Sequence, residues 1–199
     1  MAQDDMDGME LFEACLGQAT GVVKQVRSTH FANATPDAEW NVRDLIGHML
    51  HKLQEMPSIL EGEPQTESDL TYDAELVGDD SVELSANWQS AVDAAEMALE
   101  DADAEDIARL TYGSVIVDEY LAQLASDLLI HSWDLGKAIG VPVKFDNTLA
   151  EIIYRTTAEH KQEFKDSGLF SKELEVVGNV DIQTRLLALF GRRADWQAV

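Results

Sequence analysis

Two histidines and one aspartate are the residues of this chain whose types and spacing best suit metal chemistry. His48 lies in one predicted helix, and Asp127 and His131 lie about eighty residues later in another. Residues four apart on a helix are about 40° apart around its axis, so Asp127 and His131 project from the same face. Two imidazole nitrogens and a carboxylate oxygen are ligands that Zn²⁺ accepts, and three protein ligands leave one position open. The three residues therefore predict a divalent-metal site with room for water or a substrate.

A second explanation of Asp127 needs no metal. Asp127 lies on the side of its helix that faces the predicted core. An unpaired carboxylate there would destabilise the fold by several kcal/mol. Its partner is either His131 in a buried hydrogen-bonded pair, or a cation that it shares with His131 and His48. The residues alone leave both alternatives open. They also leave the metal open: zinc suits this donor set best, and nickel, iron and manganese are compatible with it.

The sequence alone assigns structural roles to the polar and aromatic residues near these three. Asp134, which follows Trp133, is expected to cap or pair locally, away from Asp127. His51 is expected to be exposed on the opposite side of its helix from the apolar stripe. Cys15 lies at helical spacing among apolar residues, which is typical of a small buried side chain. The tryptophans are interpreted as packing anchors: Trp40, Trp88, Trp133 and Trp196.

Helices must position these residues, because apolar side chains recur every three and four positions along most of the chain. The pattern indicates helices at about 8–30, 42–57, 82–100, 118–139, from 148 onward, and 181–191. We therefore predict an all-α fold, an antiparallel four-helix bundle with a short C-terminal helical addition. We expect a single domain over residues 1–199.

Local signals set the ends of several elements. Asn41 with Asp44 resembles a capping box, and Gly140 is placed to end the fourth helix. Thr148 with Glu151 is expected to cap the fifth. Three segments fall between the helices: a long acidic surface loop at 61–80, a stretch at 101–117 that is either extended or helical, and a short strand at 174–177.

The chain is strongly acidic, with 38 Asp and Glu against 14 Lys and Arg and a formal net charge of -24. Such a surface repels phosphate backbones and anionic lipid, so nucleic acids and membranes are not expected as partners. No apolar run approaches the ~20 residues that cross a bilayer, and the N-terminus lacks the basic start of a secretory signal. The sequence therefore predicts a cytoplasmic protein. Its acidity reflects either a solvated surface or adaptation to high salt.

Three segments together resemble the DinB-like superfamily, in the branch that contains the mycothiol-dependent maleylpyruvate isomerase N-terminal domain. The first two are Thr35-Pro36-x-x-Glu39-Trp40-x-Val42-Arg43-Asp44-Leu45-x-x-His48 and Asp127-x-x-x-His131-x-Trp133-Asp134-Leu135-x-x-Ala138-x-Gly140. The third, Arg185 to Arg192 with Trp196 beyond it, is similar to the ending of a small single-domain subgroup. Residues 60–115 resemble this family only in the general character of their residues.

The resemblance implies a four-helix bundle in which His48, Asp127 and His131 bind a divalent metal, with further positions open to water or a substrate thiolate. Family members with an assigned activity use a low-molecular-weight thiol in isomerisation or S-transfer. Two differences limit what carries over. Asp127 stands where the isomerase has a glutamate, and the sequence shows no counterpart of the isomerase's separate C-terminal domain. The isomerase's substrate is therefore not carried over.

The sequence and the resemblance together predict a metal-dependent enzyme of the thiol S-transferase or isomerase type, acting on a small-molecule substrate. Two alternatives stay open. One is a non-catalytic, stress-type module that binds a metal or small ligand. The other is a metal-dependent hydrolase, which needs a general base that the sequence does not identify. A homodimer is compatible with such a bundle, but the sequence identifies no face for it.

Overall fold

The computed structural model describes residues 6–66, 74–159, 173–176 and 178–198. These residues are mainly helical, as the apolar periodicity predicts, and they include one small sheet. The helices are α1 (Gly8–Val23), α2 (Val42–Leu60), α3 (Ser81–Glu100), α4 (Val117–Ile139), α5 (Asn147–Glu159) and α6 (Ile182–Leu189). The strands are β1 (Ile107–Leu110) and β2 (Gly113–Ile116).

Two of the predicted helix ends are confirmed in atomic detail. At the start of α2, the Asp44 N–H donates to Asn41 Oδ1 at 3.0 Å and the Asn41 N–H donates to Asp44 Oδ2 at 3.2 Å. This reciprocal capping box satisfies two backbone donors that the helix leaves free. At the end of α4, Gly140 has φ 75° and terminates the helix in the left-handed conformation that glycine adopts without steric cost.

Three other boundaries differ from the prediction. The first helix ends at Val23, and residues 28–30 form a separate short 3₁₀ turn. α2 continues three residues past Pro57, although a proline has no N–H to donate to the carbonyl four residues earlier. The cap of α5 is Asp146 rather than Thr148. Asp146 Oδ1 accepts a hydrogen bond from the N–H of Thr148 at 2.8 Å, so the aspartate that precedes the helix caps it.

The sequence indicated that residues 101–117 are either extended or helical. In the structure they contain a β-hairpin. β1 and β2 pair antiparallel, with Ile107 opposite Ile116 and Leu110 opposite Gly113. The side chains of Ala108 and Leu110 are buried and fix which face of β1 points inward. The hairpin leads directly into α4.

The two remaining inter-helix predictions have different outcomes. The expected strand at 174–177 is not formed by the described residues 173–176, where the Leu174 N–H donates to the Ala188 carbonyl instead. Of the predicted loop at 61–80, residues 67–73 lie outside the described residues, and 74–77 form a short 3₁₀ turn.

The apolar stripes of the helices meet in one continuous core. α1 packs along α4, and α2 packs against both α3 and α4. Burying each large aliphatic side chain of such a core stabilises the fold by about 1.5–3 kcal/mol. The largest buried side chains are Trp88, Phe12, Leu45, Ile46, Met49, Leu50, Leu53, Met56, Ile59, Leu84, Leu121 and Leu129. This core holds α2 and α4 in the relation that the candidate site requires.

Gly8 marks a close approach between α1 and α4. A Cβ added at Gly8 would lie 2.0 Å from the Asp118 carbonyl oxygen, so no larger residue fits there without a shift. The Gly8 N–H also donates to Asp118 Oδ1 at 2.6 Å. Among the described helices, none combines the length and the apolar character needed to span a membrane.

Candidate metal site

The structure brings the three predicted residues together where α2 and α4 face each other. His48 Nε2 lies 3.1 Å from Asp127 Oδ2, and His131 Nε2 lies 3.2 Å from Asp127 Oδ1. The Asp127 carboxylate therefore lies between the two imidazoles, with one oxygen directed at each. One ligand atom from each residue can be chosen so that all three lie within 4.8 Å of one another.

The local helix geometry explains this arrangement. Asp127 and His131 are one turn apart on α4, so both project to the same side of the helix. His131 is only 5% exposed, whereas the Asp127 side chain is 37% exposed at the cavity that the site borders. His48 is positioned by the buried residues Leu45 and Met49, which anchor its turn of α2 in the core.

The donor set and its spacing fit a divalent cation. Tetrahedral Zn²⁺ holds nitrogen and oxygen ligands at about 2.0–2.2 Å, which places the ligand atoms about 3.3 Å from one another. The two nitrogen-to-oxygen separations measured here, 3.1 and 3.2 Å, are close to that value. His48, Asp127 and His131 could thus hold a cation, and their role as metal ligands stays a prediction.

A second set of charged residues lies behind His131. Its Nδ1 is 3.2 Å from Asp134 Oδ2, and Asp134 is completely buried. Arg192 faces the same carboxylate, with Nη2 3.0 Å and Nε 3.1 Å from Asp134 Oδ2. Arg192 Nη2 also donates to Asp37 Oδ2 at 2.8 Å. A histidine that donates one ring N–H to a carboxylate keeps its other nitrogen available to a metal, and Asp134 is placed for that role.

From the sequence, Asp134 was expected to cap or pair only locally, and no role was predicted for Arg192 or Asp37. The local part is correct, because Asp134 does contact His131 three residues before it. That i,i+3 spacing on a helix was the available signal. Arg192 and Asp37 had no such signal, since they lie 58 residues after and 97 residues before Asp134 in the chain.

Trp40 packs over both imidazoles. Its ring centroid lies 4.6 Å from that of His48 and 5.7 Å from that of His131. The tryptophan was interpreted as a packing anchor, and the structure shows that what it packs against is the candidate site. Its indole shields one side of the imidazole pair from solvent. His51, three residues from His48, is half-buried rather than exposed and does not belong to the cluster.

The charges of the cluster shift its ionisation strongly. Burial acts to raise the pKa of Asp127, but His131 and His48 outweigh it and hold the pKa well below its usual value. Burial lowers the pKa of His48. Burial also acts to lower the pKa of His131, but the charges and hydrogen bonds of Asp127 and Asp134 raise it to about 9. A proton on His131 therefore balances Asp127 at neutral pH, and a cation that binds there must displace it.

The site opens on a cavity of about 460 Å³, the size of a small-molecule pocket. Residues from α1, α2, the hairpin, α4 and α5 contribute to its wall, together with Arg192. His48, Asp127 and His131 form part of this wall. The cavity therefore gives a small molecule access to all three candidate ligands.

The single cysteine of the chain is not part of this cavity wall. Cys15 is fully buried in the core face of α1, and burial raises the pKa of its thiol to about 12. The thiolate is the nucleophilic form of cysteine, so a buried thiol with a raised pKa is inert at neutral pH. Thiol chemistry at this site would require a thiol from another molecule.

We expect Cys15 in the native protein to resist alkylation by iodoacetamide at pH 8, under conditions that fully alkylate the unfolded protein. The folded state keeps a thiol proton that the unfolded state loses above about pH 9. The contribution of Cys15 to the free energy of unfolding therefore falls by about 1.4 kcal/mol per pH unit between about pH 9 and pH 12. The difference between wild type and Cys15→Ala across that range isolates this contribution. Rapid alkylation of native protein would contradict the prediction.

Comparison with known proteins identifies the family and the fold of this chain. The sequence profile of the family described as the mycothiol maleylpyruvate isomerase N-terminal domain matches residues 12–136. Two solved structures share the fold: the mycothiol-dependent maleylpyruvate isomerase (TM-score 0.63, 19% identity) and a histidine-to-alanine mutant of it (TM-score 0.65, 17% identity). Each comparison covers 83% of this chain and 72% of the other. No curated protein sequence matches this chain.

Proposed function

This chain belongs to the mycothiol maleylpyruvate isomerase N-terminal domain family, and from this premise we propose that it is a divalent-metal-dependent enzyme that uses a low-molecular-weight thiol. The reaction class is isomerisation or S-transfer on a small electrophilic substrate. The observation that carries the proposal is the convergence of His48, Asp127 and His131 at the wall of a cavity large enough for a small molecule.

In this proposal the three residues hold one cation, zinc being the best match to two imidazoles and a carboxylate. A bound divalent cation lowers the pKa of a coordinated thiol and so supplies a thiolate at neutral pH. Three protein ligands leave a position for that thiol. A structural zinc site is closed by four protein ligands, and the described residues supply three, which favours an enzyme over a non-catalytic metal-binding module.

The residues behind the site have positioning roles. Asp134 accepts the Nδ1 proton of His131, which leaves Nε2 as the nitrogen that faces the cation. Arg192 balances the charge of buried Asp134 and ties it to Asp37. Trp40 covers the imidazoles and keeps bulk water from that side.

The finer architecture belongs to the same proposal. We assign the described helices to a four-helix bundle of α1 to α4 with a C-terminal addition, in one domain, because a single continuous core joins them. A cytoplasmic location is proposed on the same footing as the thiol cofactor, since low-molecular-weight thiols remain reduced there. The strongly negative charge of the chain, -24, continues to argue against nucleic acid as a partner.

A thermal-shift experiment with mycothiol tests the function. Zinc-loaded protein is expected to gain stability from mycothiol, by about 2.7 kcal/mol at a concentration 100 times the dissociation constant. Metal-free protein in a chelator is expected to gain none, because the thiolate then has no cation to bind. The oxidised disulfide of mycothiol, which has no free thiol, serves as the matched ligand control. Equal stabilisation with and without metal, or none with zinc present, would refute the proposal.

A further inference from the structure

Tyr120 carries a hydroxyl group for which the described residues supply no partner. The residue lies on α4, borders the same cavity as the metal-site residues, and is only 4% exposed. Within the described part of the chain, its hydroxyl oxygen is the one buried side-chain nitrogen or oxygen that makes no hydrogen bond. A buried donor left without an acceptor destabilises a fold, and native proteins keep few of them. Such a donor beside a cavity indicates an acceptor that arrives with a ligand.

The polar residues near Tyr120 are bonded to one another and not to its hydroxyl. Glu55, whose side chain is 7% exposed, accepts a hydrogen bond from Gln65 Nε2 at 2.7 Å. It also accepts one from Lys52 Nζ at 3.1 Å. Lys52 and Gln65 border the cavity together with Tyr120. None of these hydrogen bonds involves the hydroxyl of Tyr120.

The same surroundings define the chemistry of the missing acceptor. Burial and the negative charge of Glu55 raise the pKa of Tyr120 well above its usual value, so the phenol remains a hydrogen-bond donor. Lys52 offsets the charge of Glu55, but an anion placed beside buried Tyr120 would lose its hydration. The acceptor is therefore an uncharged oxygen.

The position of Tyr120 shows which part of a ligand would reach it. Tyr120 precedes Asp127 by seven residues, so the two lie on nearly the same face of α4, about 10 Å apart along its axis. A thiol bound at the metal site would present its sulfur there, and the electrophile must lie beside that sulfur. The remainder of the thiol compound is what could extend along α4 to Tyr120.

We propose that the Tyr120 hydroxyl donates a hydrogen bond to an uncharged carbonyl, amide or hydroxyl oxygen in the body of the bound thiol compound. This inference rests on the proposed thiol-dependent function and adds a residue that selects the thiol. The hydroxyl is shielded in the ligand-free structure, so binding requires a small movement of the cavity wall. Side-chain rearrangements of that size are common on binding.

Tyr120→Phe tests the inference because it removes only the hydroxyl group. In ligand-free protein, the variant is expected to unfold at the same temperature as wild type or up to about 3 °C higher, since no hydrogen bond is lost and an unsatisfied donor is removed. Its zinc-loaded form is expected to bind mycothiol about 3- to 10-fold more weakly, by isothermal titration calorimetry. Ethanethiol, which lacks any oxygen, should bind both proteins equally. Tyr154→Phe, on α5 and outside this cavity, is the matched control and should bind mycothiol as wild type does.

The outcomes separate this inference from the proposed function. If wild-type protein with zinc does not bind mycothiol, the proposed function fails and this inference fails with it. If wild type binds and Tyr120→Phe binds equally well, only the role of Tyr120 is overturned. A fall of more than about 3 °C in the unfolding temperature of ligand-free Tyr120→Phe would also overturn it, because the hydroxyl would then have a partner within the protein.

Discussion

Replacement of His131 by alanine is expected to weaken zinc binding by more than about 100-fold, so that the purified variant retains no stoichiometric metal after dialysis. Loss of a residue that only supports a metal ligand costs about 10- to 100-fold in affinity, and loss of a ligand costs more. The measurement is metal content by mass spectrometry together with a competition titration against a zinc chelator. Circular dichroism establishes that the variant is folded.

His51→Ala provides the control for this experiment. His51 is a half-buried histidine of α2 that does not belong to the three clustered residues. Its replacement should leave the zinc content unchanged. If His131→Ala binds zinc as wild type does, the cluster is a hydrogen-bonded set of charges without a metal. The second explanation of Asp127 that the sequence left open would then be the correct one.

Replacement of Arg192 by methionine is expected to lower the free energy of unfolding by about 3–5 kcal/mol. Methionine retains much of the apolar bulk of the side chain but removes its charge. Asp134 is completely buried, and without Arg192 its carboxylate loses the guanidinium that contacts both of its oxygens. Removing one partner of a buried ion pair leaves an uncompensated charge, which is the source of the large cost. Urea denaturation monitored by circular dichroism measures the change.

The adjacent arginine provides a matched control. Arg193 pairs with Asp195 at 3.0 Å, but its side chain is 71% exposed. Exposed pairs of this kind contribute little, so Arg193→Met should leave the free energy of unfolding nearly unchanged. Asp134→Asn in the Arg192→Met background should recover part of the lost stability, because it removes the unpaired charge. Equal effects of the two arginine replacements would show that Asp134 does not depend on Arg192.

The fold was largely predictable because its helices are encoded by short-range patterns. The apolar spacing located every described helix, and Asn41, Asp44 and Gly140 fixed two boundaries through contacts within a few residues. The sequence left two assignments open where local signals compete. Valine- and isoleucine-rich residues 114–117 fit a strand and a helix start equally well. Only pairing with residues 107–110, which buries Ala108 and Leu110, decides between them.

The sequence by itself determined that Asp127 and His131 share one face of a helix, because a four-residue spacing acts within a single turn. Residue type and the resemblance to a family both indicated His48 as their expected companion. Only the tertiary structure brought His48 to 3.1 Å from Asp127, since that distance depends on how α2 packs against α4. It also decided that Arg192 reaches Asp134 across 58 residues and that no described residue pairs with the Tyr120 hydroxyl. Contacts of this kind depend on the packing of the whole core, and no local spacing records them.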